Sequence, residues 1–219
     1  LRTVTGVQTC ALPISDRRLV ERLVSDLVSQ RPARGLRGRP RRVARFTAAR
    51  VEKLLLDPYA KGVAGSEVWG ERAPGGGARE LRGVVLDLTY DWEDDRFLRT
   101  PLADTVIHET HVRAFTAHPS SSVAHPGTFA GLAEKARELA ARGVTAVQLM
   151  PVAEFDETDN PRTNPLTDEP LLNAWGYAPL AFMAPRTAYA ATATAAGALR
   201  EFRDMVRAFH REGLEVILD

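Results

Sequence analysis

The sequence predicts an α/β fold with a parallel sheet, and three observations in its C-terminal half carry that expectation. Apolar β-branched runs alternate with amphipathic stretches in the order strand, helix, strand, helix, strand, the pattern of right-handed crossovers between parallel strands. Both amphipathic stretches end at a glycine stop, and the first also carries a start signal. A long loop follows the second strand, on the side where parallel α/β enzymes gather their ligands. With 44% hydrophobic and 26% charged residues in 219, the chain has enough apolar surface to bury a core.

The opening, LRTVTGVQTCALPIS, fits neither a secretory leader nor a strand. It lacks a sustained apolar run and a basic start, and Gly6 and Pro13 interrupt it. It resembles the in-frame translation of a sequencing adapter, so residues 1–15 are expected to be an artefact and Cys10 to carry no function. A single cysteine also excludes a disulfide framework or a cysteine zinc cluster. Residues 16–30, DRRLVERLVSDLVSQ, repeat apolar positions at helical spacing. Residues 31–50 then hold eight arginines and no acid. No aromatic interleaving or binding motif accompanies them, so no nucleic-acid partner is expected. A frameshift is the leading explanation for residues 16–50.

From KLLLDPYAK onward the text is coherent. SEVWGE and LRGVVLD read as short strands around the loop APGGGARE, which lacks the spacing of a phosphate cradle, so residues 51–100 read as the end of a β-rich module. DTVIHETHVRAF reads as the first buried strand. Thr128 caps a helix over FAGLAEKARELAARG, with Phe129, Leu132, Ala133, Ala136, Leu139 and Ala140 on its apolar face and Gly143 as its stop. VTAVQLMPV is the second strand. After a loop from Glu154 to about Ala196, ALREFRDMVRAFHREG is the second helix and LEVILD the third strand. Val216, Ile217 and Leu218 there want neighbours on both sides, so the sequence is expected to be a piece of a longer barrel. A complete (β/α)8 barrel takes about 250 residues.

Four features invite chemistry. His108 and His111 are spaced one residue too closely for the H-E-x-x-H zinc pair and lie on a strand, so no metal is expected there. Glu154, Asp156, Glu157 and Asp159 read as a solvated acidic loop, with a calcium site as the weaker alternative. Trp175 and Tyr177 could stack on sugar rings; for Trp175, anchoring the long loop by packing is an equal reading. No apolar run approaches the roughly 20 residues of a membrane span, so no membrane partner is expected and the cytoplasm is the expected compartment.

KLLLDPYAK, YDWEDDRFLRTPLADTVIHETHVRAFT, GVTAVQLMPVAEF, LLNAWGYAPLAFMAPRTAYA and EFRDMVRAFHREGLEVILD together resemble the isoamylase and glycogen-debranching branch of the α-amylase family of glycoside hydrolases. The resemblance covers roughly residues 50–219. It implies the first three strands of a (β/α)8 TIM barrel in residues 101–219, preceded by the remnant of a β-sandwich carbohydrate module. It implies retaining hydrolysis of α-1,6 branch linkages in glycogen-like α-glucans by two carboxylates, with a third acid holding the distorted sugar. In the family all three acids follow later strands, so no catalytic residue is expected in this chain and the fragment is expected to be inactive. The resemblance carries over Tyr177, which matches the tyrosine stacked beside the scissile bond, Asp219 at the end of strand three, and His111, which matches the first-strand histidine in a structural or supporting role. With Trp175, read from its ring chemistry, these are the expected substrate-binding residues. Ala174 stands where an aromatic is usual, and Ala114 where glycine is usual. No cofactor is implied. A branching enzyme or trehalose-releasing hydrolase of the same family is the alternative, and a non-catalytic glucan-binding protein is the third reading.

Overall fold

The computed structural model describes residues 56–71 and 80–219, which lie within one compact unit, Leu55–Asp219. The opening with Cys10, the helical pattern at 16–30, the arginine-rich stretch and most of APGGGARE lie outside the described residues.

Two short strands come first. β1 (Val63–Ala64) pairs antiparallel with β2 (Arg82–Gly83). SEVWGE is not a strand: it runs through bends and turns, and its Trp69 packs against the main core instead. The Asp57-Pro58 turn forms as expected, with Ala60 N–H donating to Asp57 O at 3.0 Å.

The parallel sheet consists of β3 (Ile107–Thr110), β4 (Ala146–Leu149) and β7 (Glu215–Leu218), in the order β3-β4-β7. Ile107 lies opposite Ala146, which lies opposite Glu215, so the three strands start and finish level. His111, Met150 and Asp219 therefore leave the sheet along one edge.

The first strand is shorter than DTVIHETHVRAF suggests. It stops at Thr110 because the His111 imidazole caps a helix, α1 (Val112–Thr116), accepting the N–H groups of Arg113 and Ala114 at Nδ1. It is also less buried than expected, since β3 pairs only with β4 among the described residues and leaves Ile107 half exposed. The first amphipathic stretch becomes two helices, α2 (Phe129–Ala133) and α3 (Ala136–Ala141). At the break Lys135 N–H bonds Leu132 O, the tighter three-residue step. Thr128 Oγ1 caps α2 through Gly131 N–H at 3.1 Å. α4 (Ala195–Arg211) starts under Thr194, whose Oγ1 accepts from Gly197 N–H at 3.0 Å, and the chain turns away at Gly213, φ 77°.

Phe129, Leu132, Leu139, Val147, Met205 and Phe209 are sealed between these helices and the sheet. Ile217 and Leu218 of the third strand stay partly exposed, because among the described residues β7 pairs with β4 on one side only. The long loop is also more ordered than expected. β5 (Ala153–Glu154) and β6 (Ala181–Pro185) close it as an antiparallel pair, and an isolated bridge joins Thr163 to Pro170.

Candidate functional site

The level ends of β3 and β7 bring the sequence-derived site residues to one edge. Asp219 follows β7, and its N–H donates to Leu149 O at 3.1 Å, which fixes the backbone there. Its Oδ2 accepts the Tyr177 hydroxyl at 2.5 Å. That hydrogen bond, with smaller contributions from burial and from the charges of Asp219 and Glu109, raises the Tyr177 phenol above its ordinary pKa. The ring itself is 56% exposed, and Trp175 beside it is 65% exposed. More than half of each side chain thus stays open to solvent, and Trp175 does not anchor its loop by burial.

The anchoring falls to other groups. Asn173 N–H donates to Glu157 O at 2.7 Å, and Gly176 N–H donates to Asn173 Oδ1 at 3.2 Å. Gly176 sits at φ 84° against the Phe155 ring, where a Cβ would come within 2.8 Å of Cε1. His111 does not point its ring at solvent. Nε2 lies 2.7 Å from Ala174 O and 3.1 Å from the Tyr189 hydroxyl, while Nδ1 takes the two α1 amides. Burial lowers the His111 pKa, helped by the Arg113 charge and opposed by the Ala174 hydrogen bond. His108 stands apart from it, edge-on to Phe115.

The acidic loop is where the sequence reading fails. Glu154 and Glu157 are fully buried, not solvated. Both clasp Arg186, which is equally buried and also donates to Phe155 O. Glu154 Oε2 accepts from Ser66 Oγ and Thr187 N–H, each at 2.9 Å, and Glu157 Oε1 accepts from Gly70 N–H at 2.6 Å. The guanidinium lies over the rings of Phe155 and Trp69, at 4.5 and 5.7 Å. With two of its four carboxylates spent on Arg186, EFDETDN does not form the calcium site considered as its alternative. Among the described residues no group of three or more His, Cys, Asp or Glu side chains is placed to hold a metal ion. Arg186 itself was missed; the available signal was a lone cation inside the apolar run AFMAPRTAYA.

The chain is 44% identical across 179 residues to the glycogen debranching enzyme of Cronobacter sakazakii, a match that covers 76% of this chain and 26% of that protein. It is 36% identical across 172 residues to chloroplastic isoamylase 1 of Arabidopsis thaliana, covering 76% and 22%. This chain is homologous to one segment of the isoamylases and glycogen debranching enzymes. It spans about a quarter of the length of these curated relatives. No family model matches. Among solved structures, the pullulanase of Anoxybacillus sp. LM18-11 complexed with maltotetraose superposes with a TM-score of 0.57 at 32% identity, over 75% of this chain and 23% of that one. The likeness to this solved structure supports the α/β fold.

Proposed function

We propose that this chain is the first part of the catalytic (β/α)8 barrel of a retaining glycoside hydrolase that acts on α-1,6 branch linkages of glycogen-like α-glucans. β3, β4 and β7 are then its first three barrel strands, and the segment before residue 101 is the end of a β-sandwich carbohydrate module. The observation that carries the reading is the exposed Tyr177 ring, hydroxyl tied to Asp219, at the edge where three parallel strands finish. Parallel α/β enzymes place their ligands at that edge. A phenol held by its polar end presents its face to the apolar C–H side of a glucose ring, and Trp175 offers a second face two residues away. The relatives, a glycogen debranching enzyme and a pullulanase complexed with maltotetraose, support the same ligand class.

The acids that attack the anomeric carbon and protonate the leaving oxygen would come from later strands, by resemblance to the family. This segment would contribute binding and orientation. The expected outcome is that the purified 219-residue chain binds maltotetraose but releases no reducing ends from glycogen. Isothermal titration would show affinity falling roughly tenfold, about 1.4 kcal/mol, in Tyr177→Ala and in Trp175→Ala. Release of reducing ends by the pure chain would contradict the division of labour, and no binding at millimolar maltotetraose would contradict the glucan reading. A cytoplasmic setting belongs to the same proposal. No helix among the described residues is long and apolar enough to cross a membrane.

A further inference from the structure

We propose that His111 is a positioning residue that ties the end of β3 to the loop bearing Trp175 and Tyr177. The inference rests on the glucan reading of those two rings.

The geometry of the imidazole carries it. Nδ1 accepts two backbone N–H groups, from Arg113 at 3.1 Å and Ala114 at 3.0 Å. A nitrogen that accepts twice holds no proton, so the proton of the neutral ring sits on Nε2. Nε2–H then donates to Ala174 O at 2.7 Å, with the Tyr189 hydroxyl oxygen 3.1 Å away as a second neighbour. The tautomer follows from the network of partners. The Tyr189 ring packs edge-on to the imidazole at 5.6 Å and fixes its plane.

The consequence is a loop held from both sides. Ala174 is tied through His111 to the β3–α1 junction, and Tyr177 is tied through Asp219 to the end of β7. Trp175 and Gly176 lie between the two ties, with Gly176 seated on Phe155. Among the described residues no hydrogen bond or ring contact joins His111 to Trp175 or Tyr177, so its effect on ligand reaches them through the Ala174 carbonyl. The imidazole has no nitrogen left to offer a sugar.

His111→Asn separates the two jobs of the side chain. Asparagine is a good helix cap but is too short to span from the α1 amides to Ala174 O. Amide hydrogen exchange of the full chain is expected to leave Phe115 and Ala117 as protected as in the original, while Gly176 exchanges at least tenfold faster. Maltotetraose affinity is expected to fall at least threefold with little change in unfolding midpoint. Original exchange at Gly176, or unchanged affinity in a variant whose Gly176 has loosened, overturns the proposal. A measurement on the unsubstituted chain guards against a variant that does not fold. Its His111 Hε2 proton should be visible by NMR at neutral pH and correlated with an Nδ1 shift of the unprotonated kind; a protonated Nδ1 overturns the proposal. If the original chain binds no maltotetraose while exchange behaves as expected, the glucan reading fails and the tie itself stands.

Discussion

Arg186 is the side chain whose loss would cost most. It is fully buried and shared by two buried carboxylates, so Arg186→Met would strand two negative charges in a site that excludes water. Breaking such a group from one side costs about 3–5 kcal/mol, which urea denaturation would measure directly. Lysine is not a substitute, because a point charge cannot serve Glu154, Glu157 and Phe155 O from one plane. Two other residues set the pH limits of stability. His111 has a lowered pKa in the folded chain, so the unfolded chain takes up its proton first as pH falls. Its contribution is complete above about pH 6.5 and is lost as pH falls through the folded value, and His111→Asn should flatten that part of the profile. The groups facing it are Arg113, which adds to the shift, and the Tyr189 hydroxyl. Burial raises the Tyr189 pKa strongly against partial offset from Arg186 and Arg113. Stability should therefore fall again above about pH 10, where the unfolded phenol ionises and the folded one does not. At the site, Asp219→Asn removes the negative charge beside the Tyr177 phenol and leaves a weaker acceptor, so the phenol's absorbance titration should move to lower pH.

Among the elements, α4 was readable from local text. The apolar positions around Val206 and Phe209 and the stop at Gly213 speak within one helix, while its true start at Ala195 under the Thr194 cap precedes the ALREF start read from the text. Thr194→Ala should cost about 1 kcal/mol by leaving the Gly197 amide uncapped, seen as a lowered thermal midpoint. β4 was equally legible, because a strand with neighbours on both sides is mostly apolar, Gln148 being the exception. The first strand was overread: Val112 and Phe115 look β-prone, yet the His111 ring captures two amides and starts a helix, a choice invisible in propensities. The closing hairpin of the long loop was missed for a related reason. β5 and β6 are far apart in the sequence, and the contacts of Arg186 with Glu154 and Glu157 that accompany their pairing are equally distant. Of the site, Tyr177 and Asp219 were found by resemblance, while the side chains that hold their loop come from contacts distant in sequence. Gly176→Ala tests that loop: positive φ and the Phe155 ring both oppose a methyl group, and a loss of about 1–2 kcal/mol is expected from chemical denaturation.

At the scale of the molecule, the sheet has one interior strand and two whose outer sides are unpaired among the described residues. Val106, Ile107, Ile217 and Leu218 expose apolar surface on these strands or at their margin. Unpaired strands with apolar side chains recruit other strands. Sedimentation velocity of the purified chain should therefore show concentration-dependent self-association, weakened by Ile107→Lys; a single monomeric species at all concentrations would contradict this. The Arg186 cluster has a further consequence for where the chain can be divided. Ser66, Gly70 and Trp69 lie well before residue 101, yet they complete the shell around Glu154, Glu157 and Arg186 inside the long loop. Val63 O likewise receives the Thr187 hydroxyl at 2.7 Å. The seam where a carbohydrate module would hand over to a barrel is therefore not a seam in folding. Residues 63–70 and the β5–β6 hairpin should gain and lose protection together as one cooperative block, and a deletion that begins the protein at Pro101 would uncover a charge pair instead of freeing a domain.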